Sequence, residues 1–583
     1  MKNKKKPSPA AKARVASLIG VTVAALALSA HAQQPTPRAG DALRDLGDKA
    51  KPVPPPKAKP VIEVAPGPQR AVKPLPGFKI DVKGFQFSGL TVVNESELQP
   101  LVQRYIGSDR TFDELQGAAN AVSQYLRDKG YFVAQAFLPE QKIQNGIIEI
   151  AVLEGRLSDV RLDMDDKAPV SRPAVARLLS SLTPGTVLQQ DIVERALFLV
   201  SDLRGITVRS LIEPGTTPGT ASLVVKVDAA RRIDGTIEFD NYGSRFTGEH
   251  RFGASVNFNS PFGRGDLLSF RGLLGVPGGG EDTDFGRVSY IAPVGSYGTR
   301  VGAAYLKLRY KLGTNAFSAL DQSGDSTVAS LFAIHPIIRI RGVNLVAQGS
   351  FDVRDFHDDR AALGIASDRK IKAGNLTLQG DWRDTLLGGG INTASFGFTR
   401  GSLDIQTAAD LAFDQGVGGA RADGSYMKYN GSITRVNALT DAASLFVSYS
   451  FQLASKNLDG SEKVSLGGPS AVRAYAQGEA TADEAQLFTV EARYGLPRIE
   501  FIPANVVVSA FFDYGHGKFN EDPNPTIAGR NERTLRGAGL GLTFGRQDNF
   551  FVRGTLAWRL SDAPISDPVD RKPRLFFQAV KYL

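Results

Sequence analysis

Few residues in this sequence have the type and spacing that catalysis requires. The chain of 583 residues contains no cysteine, which excludes a thiol nucleophile, a disulfide framework and a cysteine-ligated zinc site. No GxSxG, HExxH or Walker motif occurs, and the glycine-rich run at 537–541 lies in an alternating strand pattern with no helix after it. We therefore predict that the protein is not an enzyme and has no catalytic site and no cofactor.

The histidines do not indicate a metal site either. The five histidines lie singly along the chain, at positions 31, 250, 335, 357 and 516. One of them begins the run His357-Asp358-Asp359, which could be read as a metal or acid–base cluster. We interpret this run as the tip of a polar loop, and we predict no metal ligands.

A long loop and a strand near the C-terminus contain the charged residues with the clearest potential role. Residues 454–486 are too long for a simple connection, and they include the run LGGPSAVRAY, which contains Arg473. Alternation over 506–514 places Asp513 on the more polar face of a strand. If that face lines a lumen and the loop folds inward, the two residues can form a bidentate pair. Alternatively, Arg473 lies on an outer loop and Asp513 is unrelated to it.

The elements around these residues read as one large β-structure. From residue 229 to 583, helical periodicity gives way to alternation of apolar and polar residues, as in Ile233–Asp240. A soluble sandwich also alternates, but long strands, charged polar faces and long Gly/Asp-rich loops are typical of a transmembrane barrel. After residue 32 no apolar run of about 20 residues remains, so we exclude spanning helices. We predict an all-β transmembrane barrel of 16 antiparallel strands, although 14 or 18 fit almost as well.

Residues 79–228 contain an internal repeat of a β-α-α-β-β pattern. The second helix of the first copy has a capping box at Thr111 and Glu114 and ends at Gly130. Gly205 takes the corresponding place in the second copy. We predict two small α+β modules, at 78–157 and 158–228, each with an exposed sheet edge.

The N-terminal residues read as a targeting segment followed by a linker. Residues 1–32 have a basic start, an apolar stretch and a small-x-small pattern that ends at Ala32, which predicts a cleaved signal peptide. The net charge of +9 falls to about +3 without this segment, so we predict no nucleic-acid partner. Residues 33–77 form a Pro-rich linker, and 39–50 could form a short helix that would need a binding cavity.

Four sets of residues together resemble one protein family. They are the segments 137–143, 146–150 and 153–155; the first-strand motif Asp240, Asn241, Tyr242 and Gly243; the loop signature Val472, Arg473, Ala474 and Tyr475; and the inner-wall motif Phe511, Asp513 and Gly515. With these motifs in this order, the sequence resembles the outer-membrane transporters of two-partner secretion, the hemolysin secretion/activation family. That family lies within the superfamily of POTRA-bearing outer-membrane barrels.

The resemblance implies an architecture and a set of partners. It implies two periplasmic POTRA modules before a 16-strand barrel in the Gram-negative outer membrane, with loop six (454–486) folded into the pore. It also implies the Arg473–Asp513 pair and a plug helix at 39–50. The implied partners are a secreted exoprotein that is unfolded in transit, outer-membrane lipid and lipopolysaccharide, and, during biogenesis, the barrel-assembly machinery and periplasmic chaperones.

Two departures from the family pattern accompany this resemblance. Ala474 stands where the signature has glycine, so a left-handed backbone there would be strained. The chain ends in Tyr582-Leu583 where the family favours phenylalanine.

The function that we predict is export of the exoprotein through the barrel without ATP. The alternatives are an insertase that assembles other outer-membrane barrels and a passive porin or receptor.

Overall fold

The computed structural model describes residues 37–46, 61–64, 77, 79–276, 282–313, 318–498, 504–524, 530–567 and 569–583. The predicted signal peptide and its cleavage site at Ala32 lie outside these residues. The N-terminal part contributes the seven-residue helix α1 (Ala39–Asp45) and the four-residue strand β1 (Val61–Val64). Within the described residues, no helix is both long and apolar enough to cross a membrane.

The first module is a small α+β unit. Its elements are β2 (Lys79–Val82), β3 (Gly84–Ser88), α2 (Glu95–Val102), β4 (Gly107–Thr111), α3 (Phe112–Asp128), β5 (Gln135–Phe137) and β6 (Ile147–Leu153). Helix α3 begins where its capping box closes: the Glu114 backbone N–H donates to Thr111 Oγ1, and the Thr111 N–H donates to the Glu114 carboxylate at 2.8 Å. Gly130 follows the helix at a φ of +93°, which glycine adopts without strain. The apolar face of α3 is buried in the module's core.

The second module repeats the topology of the first. Its elements are β7 (Arg156–Met164), α4 (Arg172–Leu179), α5 (Gln190–Ser201), β8 (Ile206–Pro214) and β9 (Thr220–Ala229). In the first module β3 runs parallel to β6, and β5 pairs antiparallel with β6 on its other side; in the second module β7 and β8 flank β9 in the same way. Strands β2 and β4 form a separate antiparallel pair in the first module. Strand β1 extends the second sheet, giving the order β1-β8-β9-β7.

The rest of the chain is a closed barrel. Its elements are β10 (Ile233–Asp240), β11 (Arg251–Asn259), β12 (Leu267–Gly275), β13 (Asp282–Val294), β14 (Thr299–Lys311), β15 (Gln322–Ile340), β16 (Val343–Arg360), β17 (Ile365–Asp384), β18 (Gly390–Ile405), α6 (Ala408–Gln415), β19 (Gly424–Ala438), β20 (Ala443–Ala454), β21 (Val464–Ser465), β22 (Thr481–Ala482), β23 (Glu484–Gly495), β24 (Asn505–Lys518), β25 (Glu532–Arg546), β26 (Phe550–Arg559) and β27 (Arg574–Tyr582). Sixteen of these strands form the wall, β21 and β22 pair with each other in loop six, and α6 lies in the connection between β18 and β19. The predicted fold class is confirmed.

Strands β15 to β17 are longer than the roughly ten residues that crossing a bilayer requires, because their pairing continues to the tips of the long hairpins. β17 alone has 20 residues.

The second module sits against the short turns of the barrel. Two Arg339 nitrogens donate to the two carboxylate oxygens of Asp202, at 2.7 and 3.0 Å. Arg195 of α5 donates to the carbonyls of Pro336 and Ile337, and the Ser171 N–H donates to the Gly263 carbonyl. The short-turn end of the barrel and the two modules therefore lie on the same side, and the long loops lie at the opposite end.

Candidate functional site in the barrel lumen

Loop six folds back into the barrel and packs against the inner wall. Residues 455–483 leave β20, form the β21–β22 hairpin and return to β23. Val472 and Tyr475 of the loop are buried together with Phe511 and Leu535 of the wall in one apolar cluster. The loop is therefore an internal element of the pore and not a solvent-exposed surface loop.

Arg473 and Asp513 are in direct contact at the centre of this packing. The Arg473 Nε and Nη2 donate to the two oxygens of Asp513, each at 2.9 Å, and the Arg473 backbone N–H donates to the same carboxylate at 3.1 Å. Thr489 Oγ1 donates to Asp513 from the neighbouring strand at 3.0 Å. The Asp513 side chain is 1% exposed. A bidentate pair with this many donors fixes both the position and the orientation of the loop.

A second carboxylate and an aromatic ring complete the arginine's surroundings. Arg473 Nη1 donates to Glu491 on β23 at 2.6 Å, and Glu491 also accepts from Arg493 at 2.8 Å. The guanidinium carbon lies 3.4 Å from the centre of the Phe511 ring, in cation–π geometry. Arg473 is thus held by two strands of the wall. The sequence reasoning did not identify Glu491, which has no local signal beyond its inward position in the alternation.

Glycines of the wall make room for the loop. A Cβ on Gly515 would lie 2.9 Å from a Val472 methyl, and a Cβ on Gly537 would lie 2.6 Å from the Cβ of Ala474. Side chains at these two positions would collide with the docked loop. Ala474 itself is not among the residues with positive φ, so the alanine is accommodated without backbone strain.

Loop six is also joined to the connection between β26 and β27. The Tyr475 hydroxyl donates to the Asp562 carbonyl at 2.8 Å. Glu479, which is fully buried, binds the Arg533 guanidinium and accepts from the Ser566 N–H at 2.9 Å and from its hydroxyl at 2.7 Å. Sequence reasoning missed Glu479 and Arg533, because neither belongs to a recognisable motif.

Helix α1 occupies another part of the lumen. Its apolar residues pack into a buried cluster with inward-facing side chains of β14 to β17. The Ala39 N–H, at the start of the helix, donates to Asp358 of β16 at 2.7 Å. On the other side of the helix, Arg44 donates to the Gly460 carbonyl of loop six at 3.0 Å. A helix this short is marginal alone in water, and the lumen supplies the cavity that it needs.

The interpretation of His357-Asp358-Asp359 as a loop tip was wrong. These residues belong to β16, whose alternation turns Asp358 inward, where its side chain is 2% exposed. Asp358 accepts from Arg369 Nη2 at 2.6 Å and from the Tyr310 hydroxyl at 2.5 Å. Arg369 also binds Asp459 of loop six. One arginine therefore connects the anchor of α1 to loop six.

The carboxylates of this region have cationic side chains as partners. In the part of the chain that the structure describes, no three His, Cys, Asp or Glu residues are grouped as metal ligands. The acidic residues that line the lumen bind arginine and lysine instead, as Glu462 does with Arg354 and with Lys428, whose Nζ lies 2.5 Å away.

The first-strand motif lies at the seam where the barrel closes. β10 ends at Asp240, which accepts from Arg251 Nε at 2.8 Å. The Asn241 side chain donates to the Leu575 carbonyl at 2.9 Å and accepts from the Phe577 N–H at 2.7 Å. This amide continues the pairing of β10 with β27 beyond the end of the strand.

The other two motif residues fix the chain after the seam. Tyr242 packs edge-on against Phe576 of β27, with ring centroids 5.7 Å apart. A Cβ on Gly243 would lie 1.9 Å from the Gly248 carbonyl oxygen, so only glycine fits there. The four residues of this motif thus shape the start of the first long connection.

Comparison with known proteins gives two family matches. A model described as haemolysin secretion/activation protein ShlB/FhaC/HecB matches residues 219–544, and one described as POTRA domain, ShlB-type, matches residues 80–155.

Individual proteins and solved structures resemble the chain over most of its length. It is 28% identical to the heme/hemopexin transporter protein HuxB of Haemophilus influenzae over 79% of this chain and 80% of that one. It is 26% identical to the outer membrane transporter CdiB of Escherichia coli over 80% of this chain and 77% of that one. The structure of CdiB from Escherichia coli aligns with a TM-score of 0.68 and 21% sequence identity, covering 89% of this chain and 93% of that one. The structure of CdiB from Acinetobacter baumannii aligns with a TM-score of 0.61 and 19% identity, over the full length of both chains.

Proposed function

Because the chain belongs to the haemolysin secretion/activation protein ShlB/FhaC/HecB family, we propose that it exports one secreted partner protein through its lumen. It is an outer-membrane transporter whose POTRA region lies in the periplasm. The exported partner is an exoprotein that crosses unfolded and folds at the cell surface, which gives the transport its direction. The chain offers no nucleotide-binding motif, so export proceeds without ATP.

The observation that supports this proposal is that two elements of the same chain, loop six and α1, fill the lumen of a closed barrel. Loop six joins the wall only at β20 and β23, α1 lies upstream of both modules in the chain, and polar contacts such as Arg473–Asp513 and Asp358–Ala39 help to hold both elements inside. Polar contacts can be exchanged for water or for another polypeptide. Displacement of these two elements would leave a wide lumen with polar side chains on its wall.

The assignment of the individual segments is part of the proposal. We assign 78–157 and 158–228 to two POTRA modules, of which the second has the topology of the first, and 229–583 to the barrel. We assign Arg473, Asp513 and Glu491 to the docking of loop six, and α1 to occlusion of the pore. An extended segment of the exoprotein would bind a module by adding a strand to its sheet, because main-chain hydrogen bonds do not depend on sequence. Outer-membrane lipid and lipopolysaccharide surround the barrel, and the barrel-assembly machinery and periplasmic chaperones act during its biogenesis.

Deletion of the gene tests the function and identifies the partner. We expect that one large protein, or a few related ones, disappears from the cell surface and culture medium, while the outer membrane keeps its normal porin content. A general loss of porins would instead support the insertase. No change in any secreted protein would support a passive pore.

Deletion of residues 79–228 tests the recruitment role of the modules. We expect the barrel to remain inserted and export of the partner to be lost. The matched control keeps both modules and removes only α6 (Ala408–Gln415), a short helix of a long connection at the far end of the barrel. Unchanged export after deletion of 79–228 would refute recruitment by the modules.

A further inference from the structure

Strand β1 covers an edge of the second module's sheet. Its four residues run parallel to β8, with Val61 opposite Arg209 and Val64 opposite Ile212. β8 has nine residues, so β1 pairs with only the middle of this edge. The chain thus shows that the outer edge of β8 accepts an extended segment in parallel orientation.

The described side chains of β1, those of residues 62–64, add little to the core of the module. Ile62 packs partly against the core, whereas Glu63 is exposed and Val64 is 51% exposed. The buried residues of the core come from α4, α5, β7, β8 and β9 and the connections between them. For residues 62–64, main-chain pairing with β8 is therefore the principal contact, and any extended segment can supply it.

Prolines flank β1 in the sequence on both sides. Pro60 immediately precedes the strand, and Pro66 and Pro68 follow it closely. Proline has no N–H to donate, so it interrupts a ladder of main-chain hydrogen bonds. A segment without these prolines can pair with more of the edge than β1 does.

β8 is also the edge best suited to pairing with an extended segment. The opposite edge strand, β7, has a register shift between Leu157 and Asp159 and carries exposed charged side chains, features that protect edges from pairing. In the first module the sheet ends in β3 with five residues and β5 with three. β8 pairs regularly with β9 along all nine residues. Among the described edges of these two sheets, β8 thus offers the longest regular ladder.

From these observations we propose that the outer edge of β8 is a binding site for an extended segment of the exported polypeptide, and that β1 occupies it as an internal competitor. The incoming segment displaces β1, pairs with β8 over a longer stretch and so begins export. This inference rests on the proposed function and specifies its recruitment step. The competitor reduces the apparent affinity of the site to the intrinsic affinity multiplied by the fraction of time that the edge is free.

A disulfide lock tests the proposal, since the natural chain has no cysteine. Glu63→Cys combined with Leu211→Cys joins residues that are opposite each other in β1 and β8. The control pair is Thr207→Cys with Asp228→Cys, which joins β8 to β9 and leaves the outer edge accessible. The assay measures secretion of the exoprotein that the gene deletion identifies, before and after reduction by dithiothreitol.

The oxidised β1–β8 lock is expected to reduce secretion at least about tenfold, with recovery after reduction, because a locked edge has almost no free fraction. The control lock is expected to leave secretion unchanged. Full secretion with β1 locked, or an equal loss with the control lock, would overturn the proposal. Absence of secretion by the unsubstituted chain would instead refute the proposed function itself.

A second variant weakens β1 and predicts the opposite effect. Ile62→Asp removes the packing of β1 on the core, and Glu63→Gln, at an exposed position, is its control. The purified full chain in detergent is expected to bind the urea-unfolded exoprotein about threefold more tightly with Ile62→Asp, because the free fraction of the edge rises. Unchanged or weaker binding would overturn the internal competition.

Discussion

Arg473→Ala is the substitution that most directly tests how loop six is held in the lumen. It removes the two side-chain hydrogen bonds to Asp513, the contact with Glu491 and the cation–π contact with Phe511. The Asp513 carboxylate then stays buried with the Thr489 hydroxyl and a backbone N–H as its donors. The substitution therefore destabilises the docked state of loop six. In the undocked state water can reach the Asp513 carboxylate, so that state is not destabilised in the same way.

The free energy that Arg473→Ala removes from the docked state can be estimated from the burial of the Arg473–Asp513 pair. Removing one partner of a buried ion pair costs about 3–5 kcal/mol. The donors that remain on Asp513, and the 14% exposure of the Arg473 side chain, favour the lower end of that range. Since about 1.4 kcal/mol corresponds to a tenfold change, a loss of about 3 kcal/mol raises the undocked fraction on the order of 100-fold. Arg473→Lys keeps the charge but not the bidentate geometry, so we expect a smaller increase, about tenfold.

A single cysteine reports the undocked fraction. Val472→Cys places a thiol where the docked loop is fully buried, and no other thiol is present. A membrane-impermeant maleimide then reacts only when the loop leaves the wall, so the labelling rate measures undocking. Arg435→Ala is the control, because that arginine pairs with Asp384 near a short turn at the other end of the barrel. An unchanged rate with Arg473→Ala, or an equal increase with Arg435→Ala, would refute the reasoning.

Four further predictions concern the wall, the helix α1 and the first module. Gly537→Leu should raise the same labelling rate because its side chain collides with the docked loop, whereas Gly554→Leu, with open space at its Cβ, should not. Asp358→Ala removes the acceptor at the start of α1 and should raise the open fraction about tenfold in planar-bilayer recordings, for a loss of about 1.4 kcal/mol. Thr111→Ala should destabilise α3 by about 1 kcal/mol in urea unfolding followed by helical circular dichroism. Hydrogen bonds from Thr111 and Arg110 lower the pKa of Glu114, so the ionised carboxylate stabilises the folded module fully above the ordinary glutamate pKa. The midpoint of urea unfolding should therefore fall as the pH drops through the lowered pKa. A midpoint that does not change with pH would contradict this prediction.

The parts of the fold with strong local signals could be predicted from the sequence. Alternation over hundreds of residues predicted the barrel, since one face must meet lipid and the other the lumen. The capping box at Thr111 and the glycine at position 130 predicted where α3 begins and ends. Spacing alone left two alternatives for Arg473 and Asp513, because it does not say where a long loop goes. The family resemblance favoured the contact that the structure shows.

The missed features depend on partners that lie far away in the chain. Asp358 was taken for a loop residue because the hairpin of β16 and β17 extends well past the length needed to cross lipid. The helix α1 was expected at 39–50, but only the family resemblance indicated its place in the lumen, because seven residues carry too little local signal to show which cavity surrounds them. β1 is four residues between prolines, and only the exposed edge of β8 makes it a strand. No local pattern in a sequence carries such information.

Translocation by the purified chain alone tests the central claim most directly. The full chain is reconstituted into liposomes, its exoprotein partner is added outside in urea and diluted, and protease then removes whatever has not crossed. We predict that full-length exoprotein becomes protected inside these vesicles without any nucleotide, and that vesicles containing an ordinary porin protect none. Complete digestion in both kinds of vesicle, or equal protection in both, would contradict the account.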